Sequence, residues 1–231
     1  MNTNNYENTC ANFAHQTSCF NQLTEQERKL VEKNQVRVVY KKGETICKQG
    51  SFASHIMFLE EGLVKVYLEG NPRNLILTIT PSNHLVGLPS IYEGNNTFLY
   101  SVSTYIDSTV KLIDVNIFKQ LIRSNANFAS KIINVLNENT AQAYGRFYCL
   151  TRKQLHGRLA DILLCLSDRI FKNESFNLPL SRNDLGELTS MSTESVIRIM
   201  KEFKDDNLIK VSGKVIEILD HKRLLKISEV G

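Results

Sequence analysis

The stretch LSRNDLGELTSMSTESVIRIMKEFKDDNLIKVSGKVIEIL, residues 180–219, decides how this chain is read. Between residues 193 and 206, Val196, Ile199, Met200 and Phe203 recur at i, i+3, i+4 and i+7. That spacing predicts a helix with one apolar stripe to bury. Glu194, Ile197, Arg198 and Lys201 repeat the same spacing on the opposite face, which must then point outward. A carboxylate, a guanidinium and an ammonium on one outward face suit the major groove of duplex DNA. Arg donates to guanine O6 and N7 together, and Glu accepts from cytosine N4. Lys201, at the far end, suits phosphate, which positions the helix without reading sequence. Thr193, Glu194, Ser195, Ile197, Arg198 and Lys201 are therefore the candidate DNA contacts.

The flanks complete a known arrangement. Ser181 and Asp184 form a capping-box-like start for a first helix that buries Leu185 and Leu188. Thr189, Ser190 and Met191 make a short turn, and Ser192 caps the reading helix. Residues 208–211 and 215–218 are β-rich runs joined by Ser212, Gly213 and Lys214, a hairpin signal. Helix, turn, helix and hairpin in this order read as a winged helix-turn-helix. A solvated, charged face on an ordinary helical hairpin is the competing reading, and the complete arrangement disfavours it.

Working outward, a helix over residues 152–171 carries Leu155, Leu159, Ile162, Leu163, Leu166 and Ile170 and is expected to pack on the winged helix. Before it, Ala129, Ile132, Leu136, Asn139, Ala143, Arg146 and Leu150 alternate in three- and four-residue steps, a coiled-coil seam. The seam predicts pairing with a second copy of the chain through Ile132, Leu136, Asn139, Ala143, Arg146 and Leu150. Packing of this helix on its own domain is the competing reading. Residues 36–115 hold short β-branched or aromatic runs at 36–40, 44–47, 55–59, 63–68, 75–80, 99–105 and 110–115, separated by Gly, Asn and Pro turns. Many short strands at such spacing predict a sandwich or barrel. Thr24 and Glu27 mark the start of a short helix. The expected domains are a leader (1–22), an effector-binding β domain (23–126), a dimerisation helix (127–150) and the DNA-binding domain (151–231).

Composition bounds the function. The chain has 231 residues, 42% hydrophobic and 23% charged, ordinary for a globular protein. Its net charge of +4 comes from 28 basic and 24 acidic residues. Residues 152–231 carry 14 Lys and Arg against 12 Asp and Glu, so DNA binding must rest on local charge placement. The first twenty residues lack the apolar core of a signal or anchor. Five irregularly spaced cysteines are not a secreted disulfide framework. The expected location is the cytoplasm, with no membrane partner. No Walker loop, dinucleotide-binding glycine run, zinc-spaced Cys/His set or nucleophile–base constellation is present in the sequence, so an enzyme is not expected.

With these parts in order, the chain resembles the family of the cyclic-AMP receptor protein and the fumarate-nitrate reduction regulator over nearly its whole length. The resemblance is carried by KGETICKQG at 42–50, MFLEEGLVKVY at 57–67 and, more specifically, TESVIR at 193–198. It implies an α+β protein: an N-terminal cyclic-nucleotide-binding-like β-roll (jelly roll), a long dimerisation helix and a C-terminal winged helix-turn-helix. It implies a homodimeric transcription regulator, with RNA polymerase as a further partner. Glu194 and Arg198 match the acidic and basic residues that read the TGA core of family half-sites. Thr193 stands where the cyclic-AMP receptor protein has an arginine. Ile197 stands where the fumarate-nitrate regulator has a serine, so the flanking base preference stays open. Two-fold symmetry predicts half-sites about one turn, ~34–36 Å, apart.

The effector is unknown. The segment that matches the family's phosphate cassette is GLPSIYEG at 87–94, running on through Asn95, Asn96, Thr97 and Phe98. Leu88 stands at the glutamate position and Phe98 or Leu99 at that of the arginine. A cyclic phosphate without a guanidinium loses its charge-assisted partner, so cyclic AMP is not expected. A four-cysteine iron–sulfur cluster is not expected either, because Cys10 and Cys19 are separated by eight residues with Cys47 far off, and Lys111 is near the fourth ligand position. Haem stays open, with His15, His55, His84, Cys10, Cys19 and Cys47 as candidate axial ligands, as does a redox input through Cys10 or Cys19. Gly87, Leu88, Ser90, Tyr92, Thr97, Tyr100, Asn139 and Tyr144 are the candidate effector-pocket residues, between β-roll and seam. Two alternatives remain: a haem-based sensor version of this regulator, and a sensor or interaction protein that no longer binds DNA.

Overall fold

The computed structural model describes residues 16–230, which divide into two compact units. The described residues up to Thr140 form the first and those from Ala141 onward the second.

In the first unit, α1 (Glu25–Lys33) is followed by β1 (Gln35–Tyr40), β2 (Thr45–Cys47), β3 (His55–Glu61), β4 (Leu63–Leu68), β5 (Leu75–Pro81), β6 (His84–Val86), β7 (Ser101–Thr104) and β8 (Ser108–Asp114). Two helices follow, α2 (Val115–Ser124) and the first part of α3 (Ala126–Arg152). The strands form two antiparallel four-stranded sheets, β1-β8-β3-β6 and β2-β7-β4-β5. Side chains alternate between the faces of a strand, and β3 uses both faces. Met57 and Leu59 enter a cluster with Val64, Val66, Phe98 and Val102. Ile56 and Phe58 enter another with Phe118, Leu121, Phe128 and Ile132 from the helices. The charged Glu60 of β3 ties neighbouring strands at the surface, 2.5 Å from Arg37 of β1 and 2.9 Å from Lys111 of β8.

Thr24 caps α1 with the reciprocal box its sequence predicts: the Glu27 amide donates to Thr24 Oγ1 and the Thr24 amide to the Glu27 carboxylate. Asp114 caps α2 by accepting from the amides of Asn116 and Ile117. Both α2 and β6 lie outside the sequence expectations. The segment read as a leader closes in a 3-10 helix, Gln16–Gln22, with Cys19 buried in the helix-side cluster. Its thiol is pushed up to about 12 by burial, so the reactive-thiol expectation fails at Cys19. Cys10 and His15 lie outside the described residues.

Two positions of the seam expected on α3, Ile132 and Arg146, are taken up within the chain itself. Ile132 is buried with Phe128 and Val135 in the core of the first unit, and Leu136 packs against them. Ala143 is exposed, and the Arg146 guanidinium donates to the carbonyl of Leu188 in the second unit. The apolar side chains that α3 leaves in solvent are Ile133, Tyr144, Phe147 and Tyr148. One position along a helix is a turn of about 100°, and that offset separates the expected stripe from the exposed one.

The second unit continues with α4 (Leu155–Cys165), a π-helical turn (Leu166–Phe171), β9 (Ser175–Asn177), α5 (Arg182–Thr189), α6 (Thr193–Asp205), β10 (Ile209–Ser212), β11 (Val215–Ile218) and α7 (His221–Val230). The helix expected at 152–171 is thus two elements. β10, β11 and β9 form a three-stranded antiparallel sheet, with Gly213 and Lys214 at the hairpin tip. The core gathers Leu159, Leu163, Leu166, Leu185, Val196, Ile199, Leu208 and Leu224. A buried polar triad crosses it: Lys153 Nζ donates to Asp161 at 2.9 Å and to Ser228 at 3.1 Å, while Ser228 donates to Asp161. Among the described residues no helix is long and apolar enough to cross a membrane.

Candidate functional site

The second unit builds its surface from α5, the turn and α6. Ser181 and Asp184 form the expected capping box on α5. Gly186 allows the turn to fold back: a Cβ there would sit 2.8 Å from the Met191 carbonyl oxygen. The carbonyls at the end of α5 lack helical partners, and two guanidiniums supply them. Arg146 donates to Leu188 O and Arg158 to Thr189 O. Positive charge at a helix C-terminus is favourable, so the turn is held electrostatically as well as by packing. Ser192 then caps α6, accepting from the Ser195 amide at 3.1 Å.

Val196, Ile199, Met200 and Phe203 of α6 are all buried, as their spacing requires. Glu194, Ile197, Arg198 and Lys201 are exposed on the opposite face. Thr193 and Ser195 are half-buried. The Thr193 hydroxyl donates to Asn183, and the Ser195 hydroxyl accepts from Ser192, so both side chains serve the turn. Two residues beside this face, Glu202 of α6 and His156 of α4, were not singled out from sequence. Glu202 accepts from Arg198 Nη1 at 2.7 Å, and its second oxygen lies 2.5 Å from Nε2 of His156 on α4. These bonds, to His156 first and Arg198 next, hold the Glu202 carboxyl below its ordinary range. The i, i+4 spacing of Arg198 and Glu202 was visible; His156 was not, because it comes from another helix.

In the first unit the cassette residues fill their own interior. Gly87 has φ +104°, and a Cβ on it would lie 3.2 Å from Met57 Cε and 3.6 Å from the Phe98 ring. Its amide donates to the Tyr100 hydroxyl at 2.9 Å. Burial pushes the Tyr100 hydroxyl pKa upward. Leu88 and Ser90 are buried, and Ser90 accepts from the Leu99 amide. Thr97 is half-buried and bonds locally to Asn95. Gly87 thus meets Tyr100 and Ser90 is joined to Thr97 through Asn95, while Leu88 turns into the helix-side cluster. Tyr92 stands apart: it is 58% exposed and lines a separate cleft of about 540 Å³ with Glu93, Lys119 and Arg123. Asn139 is half-exposed on α3. Tyr144 belongs to the second unit and is 64% exposed.

Two family descriptions match the chain: a cyclic nucleotide-binding domain over residues 37–125 and a Crp-like helix-turn-helix domain over residues 157–227. The chain belongs to the CRP/FNR family of transcription regulators. Among its relatives is the transcriptional activator protein FnrA of Stutzerimonas stutzeri, 26% identical over 78% of this chain and 75% of that one. The cAMP-activated global transcriptional regulator CRP of Salmonella typhimurium is 24% identical, over 78% of this chain and 87% of that one. The solved structure of FixK2 from Bradyrhizobium japonicum has the same fold, with a TM-score of 0.77 at 21% identity, covering 85% of this chain and 98% of that one. The chain is thus a DNA-binding transcription regulator of the CRP/FNR type with an effector-domain fold.

Family membership raises the question of which effector the CRP/FNR-type roll can hold. A cyclic nucleotide does not fit the residues present. Leu88, at the acidic cassette position, and Phe98, one of the two residues matched to the basic one, are buried among apolar side chains, and the other, Leu99, is apolar as well. A cyclic phosphate placed there would be desolvated without a charged partner. Among the described residues no three His, Cys, Asp or Glu side chains converge, and Cys10 and His15 lie outside them. Cys19 and Cys47 lie in separate apolar clusters. The His55 ring bonds Ser54, and the His84 ring meets the carbonyls of Pro81 and Ser82. Lys111, near the fourth cluster-ligand position, is engaged by Glu60.

Proposed function

We propose that this regulator acts in the cytoplasm as a homodimer that reads palindromic sites with a TGA core in each half-site. A small effector other than cyclic AMP, sensed by the first unit, controls it. The observation that carries the reading is the placement of Glu194, Arg198 and Lys201 on one exposed face of α6, opposite its buried stripe. Glu194 accepts from cytosine N4, Arg198 donates to guanine O6 and N7, and Lys201 takes phosphate. A winged helix that had ceased to bind DNA would have no use for that set. Pairing uses the solvent-facing side chains of α3, Ile133, Tyr144, Phe147 and Tyr148, in place of the seam expected from spacing. The likeness to an activator such as FnrA supports recruitment of RNA polymerase.

Titration of the protein onto a TGA-core palindrome, followed by fluorescence anisotropy, tests this reading. Arg198→Ala should cost about 1–3 kcal/mol at the matched G·C pair and relax selectivity there. Lys201→Ala should weaken all sequences alike and lower the salt slope by about two, one for each subunit of the dimer. Unchanged binding by both variants would remove α6 as the reading helix. Phe147→Glu should shift the sedimentation coefficient from dimer to monomer if α3 pairs as stated.

A further inference from the structure

Without DNA, Arg198 is already engaged by a neighbour on its own helix. Its Nη1 is committed to Glu202 at 2.7 Å, and Glu202 shares its other oxygen with His156 at 2.5 Å. An α-helix rises 1.5 Å per residue, so Glu202 lies about 12 Å further along α6 than Glu194. Contact with Glu202 therefore draws the guanidinium away from the end of α6 where Glu194 would meet the same base pairs. The Glu202 carboxylate, about two-fifths exposed, also adds negative charge to the side of α6 that approaches phosphates. A base-reading arginine that starts in such a pair must give it up on binding.

We propose that Glu202 is a brake on Arg198 and that His156 is the residue that lets the brake be released. This rests on the assignment of Arg198 to base reading made above. Each carboxylate oxygen has its own partner, so when Arg198 turns to DNA, Glu202 keeps the His156 contact and is not left bare beside the phosphates. His156 is fixed for this role by packing, its ring edge-on to Phe203 with centroids 6.1 Å apart. His156 and Glu202 are positioning residues; neither is expected to touch a base.

The test is a two-residue cycle on the full chain, with the same TGA-core palindrome as probe. Glu202→Gln should tighten binding about two- to tenfold, the range expected when exposed ion pairs are removed from both reading helices of a dimer. His156→Ala should weaken it by a similar factor. His156→Gln, which keeps a donor, should recover most of the loss. The double variant His156→Ala/Glu202→Gln should bind like Glu202→Gln, because the histidine acts only through the carboxylate. In an Arg198→Ala background Glu202→Gln should lose the part of its gain that comes from releasing the guanidinium. If Arg198→Ala weakens binding but Glu202→Gln does not tighten it, the brake is wrong and the reading face stands. An equal loss from His156→Ala with and without the carboxylate would also overturn it. If Arg198→Ala itself leaves binding unchanged, the reading face fails and takes the brake with it.

Discussion

The reading surface of the second unit and the interior of the first are built by opposite routes. On α6 the exposed set and the buried stripe come from thirteen consecutive residues, so one helical period fixes both. The roll interior draws Gly87, Phe98 and Tyr100 together with Met57 of β3, across turns and strand pairings that no local period encodes. The ion pairs repeat the contrast: Arg198 meets Glu202 one turn along the same helix, whereas Glu60 meets Arg37 and Lys111 across three strands. A site written on one element can change one side chain at a time. A site made by the pairing of many elements changes its packing with each substitution.

That contrast can be broken at several points. The largest effect should come from Phe98→Ala, which empties space in the inter-sheet cluster and should cost about 3–5 kcal/mol in urea unfolding. Calorimetry should still show no cyclic AMP binding to this variant, because volume alone supplies no guanidinium. Detection of such binding would show that the side chain at Phe98, and not the lost charge, excludes the nucleotide. Gly186→Ala should cost about 1–3 kcal/mol, since its Cβ would press on the Met191 carbonyl, and should weaken DNA binding by shifting the start of α6. If stability fell with no change in affinity for the palindrome, the turn would not set the reading helix. The smallest effect is at Glu60, whose carboxyl is held below its usual value by Arg37 first and Lys111 next. A lowered carboxylate pKa stabilises the fold above the unfolded value near pH ~4.3, and this contribution is lost as pH falls through the folded value. The difference in unfolding midpoint between the protein and Glu60→Gln should therefore shrink as pH drops below about 4.

The same division governs what could be read from sequence. The capping boxes of α1 and α5, the stripe of α6 and the hairpin tip are local signals, and all appear as expected. The start of α2 was also signalled, by Asp114 before Val115, Phe118 and Leu121, but the β-branched run before it extended the strand reading through Val115. On α3 two apolar stripes lie one residue apart, and spacing cannot say which the first unit buries. Contacts with Phe58 and Phe118 decide in favour of Ile132 and leave Ile133 outside. Tyr92 and Tyr100 look alike in the sequence. Tyr100 turns inward because it leads into β7 beside Gly87, while Tyr92 sits on a loop against α2.

Cys19, Cys47 and Cys149 are free thiols, each buried, the first two in the first unit and the third in the second. Burial pushes them up to about 12, 12 and 11, so near neutral pH they are protonated and shielded from electrophiles. Each becomes an alkylation target only when its surroundings open. The chain thus carries its own clocks for breathing: the rate at which a maleimide reaches each sulfur, resolved by peptide mass, times the local opening of each unit without any label being engineered in.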